Sequence, residues 1–376
     1  MRVRGVRLLA LLKREGTMPK EKIWVTKTFL PPLPEYEVYL RQIWENHFLT
    51  NQGPLLQKFE EKMKTYLGVK DFHFVSNGTT ALQLALNALD ITEGEVITTP
   101  FSYVASTGAI LWERCEPVFV DIDPETFVID ADKIEAAITS KTRAILAVHV
   151  FGMPCDVEKI EAIAKKHGLK VIYDGAHAFG VRYKGKSLLH YGDISVCSFH
   201  ATKLFHTIEG GCLIARDKAV SDRIELKKRF GHNHDEHYML GINGKASEFQ
   251  AAMGLANFKY VAQNIKKRKA VSEVYDRLLD DKFQTLKKQP EVEYNYSYYP
   301  IVFKSEAALL RAKKALEALD IYPRRYFYPS LNTVPYLKHR QSAPISEDIS
   351  RRIMCLPLYP ELSETIIAKI CEVLNK

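Results

Sequence analysis

The sequence predicts an α/β protein in which a mostly parallel sheet lies between two layers of helices and a smaller α+β unit follows. Three observations predict it. From Phe72 onward, short apolar runs alternate with helical stretches, the rhythm of repeated βα units. The runs are apolar almost throughout rather than at every second residue, which marks strands buried on both faces. Chemically capable residues cluster where these runs end, and in such sheets ligands sit outside the carboxyl ends of the strands.

In chain order, Pro31, Pro32 and Pro34 keep the leading segment extended until Glu35 opens an amphipathic helix to about Phe48. Asn51-Gln52-Gly53-Pro54 breaks the chain, and a second helix, Leu55 to Leu67, closes at Gly68 as its C-cap. Strands are expected at 72–76, 96–99, 117–121, 144–150, 170–174 and 194–199. Helices are expected from Thr79, Val104, Asp132 and Val157. After a strand at 212–215 and a helix to about Phe230 comes a polar loop, Gly231 to His237. One long helix then runs from about Ser247 towards Leu279. The remainder mixes an aromatic-rich strand region, 294–303, with helices near 305–318 and 362–375. The expected division is an N-terminal extension (1–22), a large domain (23–250), and a linking helix with a small C-terminal domain (251–376).

Composition narrows the function. With 46% hydrophobic and 26% charged residues, the chain has ample material for a buried core. Its cysteines, 115, 155, 197, 212, 355 and 371, form no C-x-x-C pair, which suits reduced thiols in a cytoplasm and neither a disulfide framework nor a zinc site. The net charge of +8 is spread along the chain without an interleaved aromatic and basic pattern, so a nucleic-acid partner is not expected and an anionic small molecule is. Lys266 to Lys269 reads as a solvated helix face. His232, His234 and His237 invite a metal reading, but no ordered element is expected to hold them on one face, so no metal is expected. No run is long and apolar enough to span a membrane. Met1 to Gly16 surrounds a short leucine-rich core with arginines and lacks an A-x-A-like cleavage site, so residues 1–17 read as an extension ahead of a start at Met18.

The strand ends carry the candidate residues. The run 194–199 delivers Lys203; a lysine in a partly dry pocket near other cations loses its proton near neutral pH and can form a Schiff base with an aldehyde. Asn77-Gly78-Thr79-Thr80 joins a strand to a helix, where glycine permits close approach and free N–H groups suit a phosphate, although such turns also cap helices everywhere. Ser198 is a small hydroxyl just before the lysine. Asp174 ends its strand and either pairs with a protonated pyridine nitrogen or caps the next turn. Tyr103 could lay its ring over a cofactor. His177 stacks on or bonds a cofactor, or is a satisfied structural histidine. Phe101 reads as core and His149 as structural. Together these residues suit pyridoxal 5′-phosphate (PLP).

Several segments then resemble the DegT/DnrJ/EryC1/StrS sugar aminotransferases: Ser76 to Leu82, Thr99 to Tyr103, Val148 to Gly152, Asp174 to His177, Ser198 to Lys203, Glu209-Gly210-Gly211 and Gly241 to Lys245. The resemblance runs from about Ile23 to the end and implies the aspartate-aminotransferase-like PLP fold (type I). It implies that Lys203 carries the cofactor and shuttles a proton, that Asp174 holds the ring nitrogen, and that Gly78, Thr79 and Ser198 bind phosphate. Tyr103 would cover the ring, with His177 also at the cofactor. Asn243 would reach the phosphate of the neighbouring subunit, which implies a homodimer. Ile208 and Lys245 depart from the family's usual Gly and Arg. His200 resembles members that aminate C4 of a nucleotide-linked 4-keto-6-deoxy sugar, with glutamate as donor; members acting at C3 more often show Tyr-Pro there. The implied substrate is dTDP-4-keto-6-deoxy-D-glucose, and the implied setting is O-antigen and lipopolysaccharide synthesis in the cytoplasm. A sugar dehydratase on the same fold resembles the family with His in place of Lys203, and a non-catalytic regulatory protein would not need Lys203, Asp174 and Ser198 together.

Overall fold

The computed structural model describes residues 22–376; the reading of residues 1–17 falls outside them. Helices α1 (Leu33–Asn46) and α2 (Pro54–Leu67) come first, and Gly68 closes α2 in the left-handed region at φ 67°. Strand β1 (His73–Val75), helix α3 (Gly78–Ala88), β2 (Glu95–Thr98), α4 (Val104–Trp112), β3 (Glu116–Phe119), β4 (Thr142–Val148), α5 (Val157–His167), β5 (Lys170–Asp174), β6 (Ile194–Ser198) and β7 (Gly211–Ala215) follow. They build a seven-stranded sheet of order β1-β7-β6-β5-β4-β2-β3. Strand β7 runs antiparallel to β1 and β6, and the other neighbours are parallel. The expected mostly parallel sheet is therefore present.

Its strands are apolar on both faces because helices cover both. Beneath the end of β6, the buried ring of Phe199 meets Phe179 at 5.6 Å and Phe205 at 5.3 Å, with Phe59 at 6.3 Å. A buried phenylalanine contributes about 1.5–3 kcal/mol, so this cluster anchors the strand end that leads to Lys203.

A second core forms around Val271, Tyr275, Ile301, Leu309, Leu356 and Ile370, and Ile23 joins it from the other end of the described chain. Its antiparallel strands are β8 (Tyr299–Val302) and β9 (Ile353–Leu356), with Gln284–Thr285 at the edge.

Five expectations change. The long helix from Ser247 is two, α6 (Glu248–Phe258) and α7 (Val261–Leu278). At the break, Asn257 turns its amide to the His206 carbonyl (3.0 Å), while Lys259 and Tyr260 both reach Glu35, so partners distant in sequence hold the chain where the helix breaks. The helix expected from Asp132 is a single turn, Ala131–Ile134, continued as a 3₁₀ turn. The strand expected over 294–303 is regular only in β8, because Asn295 spends its amide on the carbonyls of His177 and Phe179, each at 2.8 Å. The loop at 231–237 is a hairpin in which His232 pairs with His237. Helix α8 (Pro344–Arg352) was not expected; its first N–H groups, those of Ile345 and Ser346, are capped at 2.8 Å by Asp121 from the end of β3. Among the described residues, no helix is long and apolar enough to cross a membrane, and no group of three or more His, Cys, Asp or Glu could hold a metal ion.

Candidate active site

Helix α3 begins where β1 ends, and Asn77 caps it by accepting from the Thr80 N–H at 2.8 Å. Ala81 N–H bonds the Asn77 carbonyl at 3.2 Å, so the N–H groups of Gly78 and Thr79 have no partner within the helix. Ser198, at the end of β6, lies against this turn: a Cβ on Gly78 would come within 3.0 Å of the Ser198 Cβ. The same turn rests on β7, where a Cβ on Gly211 would stand 2.6 Å from the Asn77 carbonyl carbon and 2.7 Å from the Gly78 nitrogen. Gly211 is required by this close approach of backbone, and Gly78 leaves the room that the Ser198 side chain takes up. Substituting Gly211→Ala is expected to push β7 and the start of α3 apart, lowering stability by about 1–3 kcal/mol and weakening anion binding at the turn. Thermal unfolding and phosphate titration measure the two effects.

At the end of β5, buried Asp174 accepts from Ser106 Oγ at 2.7 Å and from the Ala176 N–H at 3.0 Å. Burial raises its pKa above the usual carboxylate range, partly offset by those two donors and by the charge of Lys203. Burial lowers the pKa of Lys203, with Asp174 opposing it. The backbone turn from His200 to Lys203 is closed by the Lys203 N–H on the His200 carbonyl at 2.9 Å. Lysine and carboxylate thus face one cavity of about 250 Å³.

His177 accepts from the Phe151 N–H through Nδ1 at 3.1 Å, and burial holds its pKa well below the usual value, so it is a neutral imidazole with its proton on Nε2. Its ring lies nearly parallel to Phe151 and Phe327, at 6.2 and 5.8 Å. Tyr103 stands at the start of α4 with 56% of its surface exposed, free to cover a ligand. The cavity brings Gly78, Thr79, Tyr103, Asp174, His177, Ser198 and Lys203 together. Asn243 is not among its lining residues; it is exposed and accepts from Lys245 Nζ at 2.8 Å. Phe101 packs in the core, and buried His149 stacks on Tyr173 at 4.6 Å.

Sequence reasoning missed the wall supplied by the C-terminal part of the chain, Tyr298, Arg324, Tyr326 and Phe327, of which Tyr298 and Phe327 pack into the core of the central sheet. Tyr298 lies 4.6 Å from the His177 ring and edge-on to Tyr326, and burial pushes the Tyr326 hydroxyl up to about 12. The density of arginine and aromatic residues in the non-periodic stretch Pro323 to Pro329 was the available signal. His200 lies at the rim, bonded to Thr202 Oγ1 at 2.7 Å and 3.5 Å from Glu209. Ile208 sits beside it at φ 71°, a left-handed conformation that disfavours a β-branched residue and explains why a glycine is usual there.

Residues 34–375 match the model of the DegT/DnrJ/EryC1/StrS aminotransferase family. Over 370 residues the chain is 42% identical to a dTDP-4-amino-4,6-dideoxy-D-glucose transaminase of Escherichia coli, covering 95% of this chain and 99% of that protein. It is 36% identical over 343 residues to a GDP-perosamine synthase of Escherichia coli O157:H7, covering 90% and 94%. Among solved structures, DesI, determined in the presence of its TDP-sugar product, superimposes with a TM-score of 0.90 at 28% identity, over 98% of this chain and 96% of DesI. Helicobacter pylori PseC, an aminotransferase of pseudaminic acid biosynthesis, gives 0.87 at 26% identity, over 94% and 98%. The expected aspartate-aminotransferase-like architecture is therefore present, and the chain belongs to the DegT/DnrJ/EryC1/StrS aminotransferase family.

Proposed function

We propose that this aminotransferase uses PLP to move the amino group of glutamate to C4 of dTDP-4-keto-6-deoxy-D-glucose. The observation that carries the reading is the pairing of a half-buried lysine with a buried carboxylate across one cavity, beside a helix N-terminus fitted against a serine. The sugar assignment is supported by the 42% identical transaminase of Escherichia coli and by His200 at the cavity rim.

The residues fit PLP. The N–H groups of Gly78 and Thr79 with the Ser198 hydroxyl would hold its phosphate, in the space that a Cβ on Gly78 would fill. Asp174, shielded from water, would hold a pyridinium proton, because its two protein donors leave the carboxylate lone pairs to spare. Tyr103 would lie over the ring, and the neutral His177 would offer its Nε2–H. When bound, PLP supplies an electron sink for the carbon that loses a proton.

Within that frame Lys203 moves the proton. Burial lowers the pKa of Lys203, which favours its neutral amine; that amine would take the proton from the α-carbon of glutamate and pass it to the cofactor carbon that bears the amino group, and in the second half-reaction it would withdraw that proton and give it to C4 of the sugar. Donor and acceptor use the cavity in turn, which leads to ping-pong kinetics. Exposed Phe230, Leu240 and Ile242 flank Asn243, an apolar face suited to a second copy of the chain that would bring Asn243 to the neighbouring phosphate.

The test is incubation of PLP-loaded protein with glutamate and dTDP-4-keto-6-deoxy-D-glucose, with the products read by mass and NMR. A 4-amino sugar with 2-oxoglutarate is expected. A spectral response to glutamate without change in the sugar would overturn the substrate, and no response to any amino donor would overturn the reaction.

A further inference from the structure

We infer that the protein carries a second ligand site, outside the catalytic cavity, that takes an aromatic organic cation. A cavity of about 400 Å³ opens along the seam between the two cores. Phe151, Tyr294 and Tyr298 line it from the side of the central sheet, and Phe283 and Tyr299 from the second core, with Tyr296 as a sixth ring. Small-molecule sites have this build: a concave, mostly apolar and aromatic lining at a seam between units, with a few polar groups to orient the ligand.

The polar groups here are few, and most are committed. Helix α7 presents Ser272 and, one turn on, Asp276, about 6 Å apart along its axis. Asp276 accepts from the Tyr299 hydroxyl at 2.7 Å and from Lys288 Nζ at 3.2 Å, and Asp280 pairs with Lys282 at 3.4 Å. Two groups are not committed. Ser272 is only 4% exposed, lines the cavity and, among the described residues, has no hydrogen-bond partner. A buried hydroxyl left unpaired is costly, so a polar group that enters the cavity gains by bonding it. Asp281 stands at the exposed edge of the cavity and, among the described residues, has neither an ion pair nor a hydrogen bond.

These features select the ligand. Three carboxylates, Asp276, Asp280 and Asp281, face the single ammonium of Lys288, so the lining repels an anion and attracts a cation. The ring faces do the same, and one already does so within the chain: Lys288 Nζ lies 5.8 Å from the centroid of Tyr296. A flat apolar body fits among the rings, with its positive charge at Asp281 and a hydroxyl at Ser272. Glutamate and a nucleotide diphosphate, the anions expected in the catalytic cavity, are the wrong charge for this one. Neither Ser272 nor Asp281 lines the catalytic cavity, so the two sites can be told apart by substitution.

The test is calorimetric titration of the PLP-loaded protein with N,N-dimethyltyramine, an aromatic ammonium ion whose tertiary amine cannot condense with an aldehyde. A dissociation constant on the order of 100 μM is expected for a ligand of this size. Ser272→Ala should weaken binding about fivefold, the loss of one buried hydrogen bond, and Asp281→Asn about as much. In wild type, N,N-dimethylphenethylamine, which lacks the hydroxyl, should bind about fivefold more weakly than the probe, and Ser272→Ala should leave its affinity unchanged. That pair of probes tests the same contact without a substitution, should a variant not fold. The anion 4-hydroxyphenylacetate should not bind. Absence of saturable binding up to millimolar concentration overturns the inference. Affinities unchanged in both variants overturn it by placing the probe elsewhere, and equal binding of the anion overturns the selection for a cation.

Discussion

Substituting Lys203→Ala is expected to lower turnover by at least about 10⁴-fold, since one side chain both carries the cofactor and moves the proton. The fold should survive. Among the described residues Lys203 makes no ion pair, and the turn around it is held by backbone bonds and by the phenylalanine cluster under Phe199. The cofactor-free variant should in fact be more stable than wild type at neutral pH. Burial lowers the pKa of Lys203 below 10.5, so the folded protein binds this proton less readily than the unfolded chain. The cost of the buried ammonium is fully present below the folded pKa and is relieved as pH rises towards the unfolded value. Thermal unfolding of the two cofactor-free proteins from pH 7 to 10 should show a gap that narrows with pH. Full activity in the variant, under conditions where wild type is active, would end the proposed role.

Asp174→Asn is expected to reduce turnover by roughly 10²–10³-fold while the protein still binds PLP. Asparagine nearly preserves the shape and can still accept from the Ala176 N–H, but it cannot hold a proton on a pyridine nitrogen by charge. The stability effect has the opposite pH sense to that of Lys203. Burial raises the Asp174 pKa above 3.8, so the cost of the buried carboxylate is present at neutral pH and relieved as pH falls through the raised value. Asp174→Asn should therefore melt higher than wild type at pH 7 without cofactor and lose that advantage in acid. Kinetics with glutamate alone and melting curves at pH 4 and 7 separate the two effects. Unchanged turnover would remove Asp174 from the mechanism.

Both experiments concern residues that the sequence marks at strand ends. A parallel strand buried on both faces is apolar for most of its length, so a lysine, an aspartate or a serine where the apolar run stops marks the carboxyl end of the strand. That constraint made β5, β6 and the turn into α3 legible, and with them Asp174, Ser198, Lys203, Gly78 and Thr79. It also correctly left Phe101 in the core.

The C-terminal segment that closes the cavity was harder to read. Arg324, Tyr326 and Phe327 belong to no periodic element. They reach the cavity because Asp121 caps the start of α8, and because Leu331 N–H bonds the Pro100 carbonyl at 2.8 Å, pinning that stretch to the carboxyl end of β2. Capping pairs more than two hundred residues apart leave no mark in local pattern. The break between α6 and α7 was hidden for the same reason, since Glu35 and His206, which draw the chain out of the helix, lie far away in sequence.

By itself, then, the sequence determined the α/β architecture and which polar residues stand at the ends of its central strands, because burial on two faces and the needs of a helix N-terminus are local demands on residue type. The tertiary structure alone decided which distant side chains close the cavity, because such pairings depend on how separately folded segments meet.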